Sequence, residues 1–152
     1  MLDQYDYKIL NILERDGRIP FVALAEQVSL SPTACQRRVR LLEEQGVIES
    51  YGAKINLAAV GFDVEAFVAV RIERQSTQLA QDFRRAVEVH DEVQSCHMLS
   101  GDTDFMLRVV AKDLKSFGTF IQEKLLNRPG IKDASSLIVL ETVKNKAVVP
   151  RQ

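Results

Sequence analysis

The chain has 152 residues, 46% of them hydrophobic, and sets 20 Lys and Arg against 21 Asp and Glu for a formal net charge of −1. That length allows one ordinary domain or two small ones, and the mix of apolar and charged residues is that of a globular chain rather than a disordered one. Nothing approaches the roughly 18 apolar residues that would cross a bilayer, and the acidic opening MLDQYDYKIL lacks the basic-then-apolar order of a secretory signal, so a cytoplasmic protein with no membrane partner is expected.

The first elements are helical. LDQYDYKILNILERDG places Tyr5, Ile9, Ile12 and Leu13 at helical spacing, with Asp3 as a cap and Gly17 as the stop. FVALAEQV after Pro20 is a short second helix with Leu24, Ala25 and Val28 facing inward. Ser31-Pro32 then starts a third: a side-chain oxygen to cap, and a proline at the first helical position, where a missing N–H costs nothing. This helix runs to Gly46, a residue suited to a left-handed C-cap. VIESYGAKINL is rich in β-formers and reads as a strand or small hairpin. Three helices and a β wing make a winged helix-turn-helix over residues 1–50, followed by a linker strand over 51–62.

From residue 63 to 152 the pattern alternates between periods of 2 and 3.6. VEAFVAVRIER is a strand and TQLAQDFRRAVEVH a helix with Leu79, Phe83 and Val87 in register. EVQSCHML and FMLRVVA are strands joined by the tight turn SGDTD. DLKSFGTFIQEKLLN is a helix begun by Asp113 and ended near Pro129-Gly130, and ASSLIVLETV is the last strand. The order β-α-β-β-α-β is that of a ferredoxin-like sandwich, giving an α+β protein overall. Phe67-Val68-Ala69-Val70 and Leu137-Ile138-Val139-Leu140 are apolar at both parities. Two helices cover one face of a sheet only, so a second copy of the sheet is expected on the other, as a two-fold dimer.

Positive charge is concentrated in one place. From Leu30 to Leu42 there are three arginines and no acid. At about 100° per residue, Cys35, Val39 and Leu42 fall within about 60° of one another as a buried stripe, while Thr33, Gln36, Arg37 and Arg40 lie on a separate polar face about 60° to 160° away. Arg38 lies on the opposite flank, placed to brace the fold or reach a neighbouring phosphate. The second helix of a helix-turn-helix enters the major groove of double-stranded DNA, where arginine pairs with guanine and glutamine with adenine. Ser31 and the free N–H groups of the first turn suit phosphate oxygens. The candidate DNA-binding residues are therefore Ser31, Thr33, Gln36, Arg37, Arg38 and Arg40.

Four stretches in order, LDQYDYKILNILERDGRI, LAEQVSLSPTACQRRVRLLEEQGVI, EVQSCHMLSGDTDFMLRV and RPGIKDASSLIVLETVK, resemble the Lrp/AsnC (feast/famine) transcriptional regulators over nearly the whole chain. The resemblance implies a sensing and oligomerising C-terminal domain, dimers assembling to tetramers or octamers, and an amino acid or related metabolite held near the turn between the second and third strands. On this chain that turn is Gly101, Asp102, Thr103, Asp104 and Phe105. Gly101 lets backbone N–H groups approach a carboxylate, and Asp102 or Asp104 suits an ammonium. Leu99 flanks the turn, and Ser135 or Ser136 from a neighbouring strand is placed to line the same pocket. The tail KNKAVVP departs from the family pattern, with Lys146 and Ala147 where a hydroxyl is common, so the effector is left unnamed.

Other chemistry finds little support. Cys35 and Cys96 are far apart and read as free thiols. Cys96 and His97 alternate across a strand and cannot chelate one metal together, and His90 and His97 are the only histidines. No catalytic residues, metal or cofactor are expected. Two readings of other classes remain distinguishable. A sirohaem-decarboxylase-like enzyme of the same fold would bind a tetrapyrrole, and a metabolite-binding module without DNA binding would ignore any operator.

Overall fold

The computed structural model describes residues 1–73 and 77–145. The chain divides into two compact units: Met1–Lys54, joined by residues 143–145, and Ile55–Thr142.

In the first unit, α1 spans Gln4–Leu13, α2 Phe21–Val28 and α3 Pro32–Glu44. A reciprocal box starts α1: the Asp3 carboxylate accepts from the N–H groups of Tyr5 and Asp6, and the Asp6 carboxylate accepts from that of Asp3. The helix stops at Leu13 rather than running on to Gly17. The N–H groups of Arg15 and Asp16 both turn to the Ile12 carbonyl, at 3.0 and 2.9 Å, and this tightens the chain out of the helix. Ser31 caps α3, its hydroxyl accepting from the Ala34 N–H at 3.2 Å, with Pro32 at the first position. The three helices close on one core in which Ile9, Leu10, Leu24, Ala25, Val28, Cys35, Val39 and Leu42 are buried.

The β wing and linker strand expected between Val47 and Phe62 are absent. After Gly46 turns the chain with φ +68, the N–H groups of Val47 and Ile48 bond back to the Leu42 carbonyl at 2.9 and 3.1 Å, closing the helix instead of starting a ladder. The residues beyond have β propensity but no strand of the described chain to pair with. Only a short 3₁₀ turn, Ala58–Val60, follows.

The second unit runs β1 (Val64–Ile72), α4 (Thr77–Glu88), β2 (Val93–Met98), β3 (Phe105–Ala111), α5 (Leu114–Thr119) and β4 (Ile131–Ile138). The sheet order is β2-β3-β1-β4 with every pairing antiparallel, the ferredoxin-like arrangement. Alternation sends Val64, Ala66, Val68 and Val70 of β1 into the core against Phe83 and Val87 of α4 and Phe117 of α5. Asp113 caps α5, accepting from the Ser116 N–H at 2.6 Å. Beyond Thr119 the helix widens into a π-helix, Phe120–Leu126. Phe120 and Leu125, five residues apart, are both buried, and five is the spacing that π-helical hydrogen bonding stacks. The last strand lies earlier than the apolar run suggested. Ile138 already pairs with Ala66, and beyond Val64 there is no β1 for residues 140–143 to meet.

The sheet face away from the helices carries Phe67, Ala69 and Arg71 of β1, Met106 and Arg108 of β3, and Asp133, Ser135 and Leu137 of β4. Phe67 and Leu137 sit side by side there with 40% and 59% of their surfaces exposed.

Candidate nucleic-acid interface and effector turn

Rotation around α3 decides what each polar side chain does. Cys35, Val39 and Leu42 are buried, and Thr33, Gln36, Arg37 and Arg40 are exposed together on the polar side. Arg37 makes no ion pair among the described residues. The Nε of Arg40 donates to Glu44 at 2.8 Å, one turn along, but its side chain is 79% exposed. Such a surface pair contributes little and is easily exchanged for a stronger acceptor.

Arg38 is in a different situation. One guanidinium nitrogen lies 2.8 Å from both the Asp3 and the Asp6 carboxylates, and the group sits 5.4 Å from the centre of the Tyr5 ring. The bond from Asp6, and after it that from Asp3, hold its pKa above the ordinary guanidinium value. Arg38 thus joins α3 to the cap of α1.

The turn between β2 and β3 is closed by the Leu99 N–H on the Asp104 carbonyl at 2.9 Å. Gly101, with φ +125, adopts a conformation that other residues rarely take, and the space around the position of a Cβ is open. Asp104 fastens this turn to β1 twice: its N–H donates to the Val70 carbonyl at 3.1 Å, and its Oδ2 accepts from the Ile72 N–H at 2.9 Å. Asp102 is exposed, and Thr103 and Asp104 are half-buried. The two serines part company. Ser135 pairs with Ala69 on the open face, whereas Ser136 pairs with Val68, whose side chain points to the helices, so only one of them can face a given ligand.

One charged residue near the turn escaped the reading of the sequence. Arg71, on the open face, is ion-paired with Asp133 of β4. That bond first, and then the charges of Asp102 and Asp104, raise its pKa. Arg71 and Asp133 are 62 positions apart, and only the β1–β4 register reveals the pair. Tyr51, which bonds to Glu43 of α3 at 2.8 Å, went unnoticed for the same reason: nothing local pairs them.

Among the described residues, no group of three or more His, Cys, Asp or Glu is arranged to hold a metal ion, and no helix is long and apolar enough to cross a membrane.

Two family models match the chain: a winged helix-turn-helix DNA-binding model over residues 2–49 and an Lrp/AsnC ligand binding domain model over residues 65–149. The leucine-responsive regulatory protein of Escherichia coli K12 is 39% identical over 150 residues, covering 97% of this chain and 92% of that protein. A transcriptional regulator of Neisseria meningitidis, crystallised in complex with L-methionine, superposes with a TM-score of 0.94 at 37% identity, over 99% of this chain and 97% of the other. An AsnC family transcriptional regulator from Agrobacterium tumefaciens gives 0.90 at 34% identity, over 98% and 97%.

Proposed function

Since the chain belongs to the Lrp/AsnC family of DNA-binding transcription regulators with an amino-acid-sensing domain, we propose that it reads its operator with Thr33, Gln36, Arg37 and Arg40 and senses an amino acid at the turn from Leu99 to Asp104. The observation that carries this reading is the exposed polar side of α3, where two guanidinium groups and an amide stand clear of the core that the same helix builds. Arginine and glutamine in that position supply bidentate donors to base edges. Ser31 and the first-turn N–H groups of α3 take a phosphate. Arg38 serves as a brace that keeps α3 at a fixed angle to α1.

The effector side of the proposal rests on the Neisseria relative bound to L-methionine and on the turn itself. Gly101 leaves backbone open to a carboxylate, and Asp102 presents an exposed charge to an ammonium. A hydrophobic amino acid suits the neighbouring Leu99 and Met98, both exposed. Ser135, on the face that carries Arg71, is the serine assigned to this pocket. The protein is cytoplasmic in this reading, and it works by binding, with no cofactor and no catalytic step. It acts as a homodimer joined through the open sheet face, with dimers assembling to tetramers or octamers. The effector changes DNA binding through its different affinity for two assemblies, and a coupling of about 1–3 kcal/mol is enough.

The test is a mobility-shift titration of the full chain. Arg37→Ala combined with Arg40→Ala is expected to abolish specific binding while melting midpoint and oligomeric mass stay at wild-type values. Unchanged affinity would reject the assignment.

A further inference from the structure

Tyr51 stands in the irregular stretch that leads out of the DNA-reading unit, yet its side chain is held at both ends. Its hydroxyl donates to Glu43 Oε1, in the last turn of α3, at 2.8 Å. Its ring lies against Gly17, so close that a Cβ added there would stand 3.3 Å from Cδ1. With Leu13, Ile19, Phe21 and Val39 it lines a cavity of about 240 Å³ where α1, α2 and α3 meet. Tyr51 is 50% exposed, yet partial desolvation of its phenol, and then the bond to Glu43, push it up to about 12; like any phenol, it stays a donor at physiological pH.

The chain on either side gives this contact its meaning. Ile48 still packs on the helical core. Gly52 follows Tyr51 directly, with no neighbour within 4 Å of the position of a Cβ, and Ala53 to Asn56 are exposed and without regular structure. Tyr51 is therefore the last linker side chain bonded to α3; farther on, the Lys54 ammonium donates to the Asn145 carbonyl and Asn56 Oδ1 accepts from the Ala59 N–H, each at 3.3 Å. Without the Tyr51 bond, Glu49, Ser50 and Tyr51 would lose their tie to α3, and the irregular connection would begin three residues earlier.

We propose that Tyr51 is a positioning residue for DNA recognition: bonded to Glu43 and packed on Gly17, it fixes the direction in which the linker leaves the recognition helix, and so holds the two helices of a dimer ready for two half-sites. The inference rests on the DNA-binding reading above. Binding of the second half-site is an intramolecular event whose strength follows the length and freedom of the connection. Tyr51 touches no base in this scheme. Its removal weakens paired half-sites and leaves the contact with a single half-site intact.

The experiment uses full-length protein and duplexes enriched by the wild type from a random library, each then prepared with two half-sites and with one. Tyr51→Ala is expected to weaken the two-half-site duplex about fivefold and the single half-site less than about twofold. Glu43→Gln, whose amide oxygen still accepts the phenol proton, is expected to bind both duplexes like wild type. Tyr51→Phe keeps the ring on Gly17 and guards against a folding defect; it falls between wild type and Tyr51→Ala. Equal losses on both duplexes would make Tyr51 a plain structural residue and overturn the proposal. So would wild-type affinity of both Tyr51 variants on duplexes that the Arg37→Ala, Arg40→Ala protein no longer binds, with the DNA-binding reading itself left standing. If the wild type enriches no duplex, that reading falls and the positioning role falls with it.

Discussion

Arg37, Arg38 and Arg40 are near neighbours in the sequence and occupy three different situations in the fold. About 100° of rotation per residue sends Arg38 to the acidic cap of α1, where two carboxylates hold it. Arg37 and Arg40 point to solvent, and Arg40 is restrained only by an exposed pair with Glu44. Asp104 shows a similar division within one side chain. The sequence marks it as a partner for a ligand ammonium, but its Oδ2 is already taken by the Ile72 N–H. Asp104→Ala would therefore loosen the end of β1 as well as remove a charge. Asp104→Asn separates the two effects, because its amide oxygen still accepts from Ile72. This variant is expected to melt within about 3 °C of wild type, a shift well under 1 kcal/mol for a unit of this size. It should lose the thermal shift given by whichever of the twenty amino acids stabilises wild type most. Retention of that shift would remove Asp104 from the effector site.

At the scale of elements, two helix starts make stability depend on pH. Backbone N–H bonds, that of Asp6 on Asp3 and that of Ser116 on Asp113, hold both carboxyls below the usual carboxylate range. A group whose folded pKa lies below its unfolded value stabilises the fold above the unfolded value, about 4 for aspartate, and loses that contribution as pH falls through the folded one. The melting midpoint followed by circular dichroism is expected to be flat down to about pH 5 and to fall below about pH 4. Asp3→Asn keeps a capping oxygen without a titrating charge and should make that fall shallower.

Where β4 begins, Gly130 has φ +85, and an added Cβ would lie 2.7 Å from Leu79 Cδ2. Gly130→Ala combines backbone strain with a clash and is expected to cost about 2 kcal/mol in urea unfolding. A neutral result would show that neither the positive φ nor the contact with Leu79 is costly at this position. The linker illustrates the opposite rule. Its β-forming residues stay unpaired because a strand is stable only against another strand, and the N–H groups of Val47 and Ile48 are spent on the end of α3.

For the whole molecule, the open sheet face is the feature that demands a partner. Phe67 and Leu137 lie next to one another on β1 and β4, on the side that α4 and α5 do not cover. A charge at the centre of that patch would be buried unpaired in a face-to-face dimer. Phe67→Asp is accordingly expected to lower the mass seen by light scattering at least twofold while circular dichroism keeps the wild-type content of helix and strand. An unchanged mass would place the dimer interface elsewhere.

Local rules carried the amino-acid sequence a long way. Ser31 before Pro32, Asp113 before α5, the buried Cys35, Val39 and Leu42, and the alternation along β1 all follow from neighbours within about four residues, the reach of a helical turn or a pleat. The β-α-β-β-α-β order could be read because each element announces its own period. Tertiary structure alone decided which distant groups met. The register set Arg71 against Asp133 and turned Ser135 and Ser136 to opposite faces. Helix packing gave Arg38 its two carboxylates, and the path of the chain beyond α3 brought Tyr51 to Glu43. Periodicity states which face of an element is buried, and it carries no record of the partner or the offset at which two elements pair.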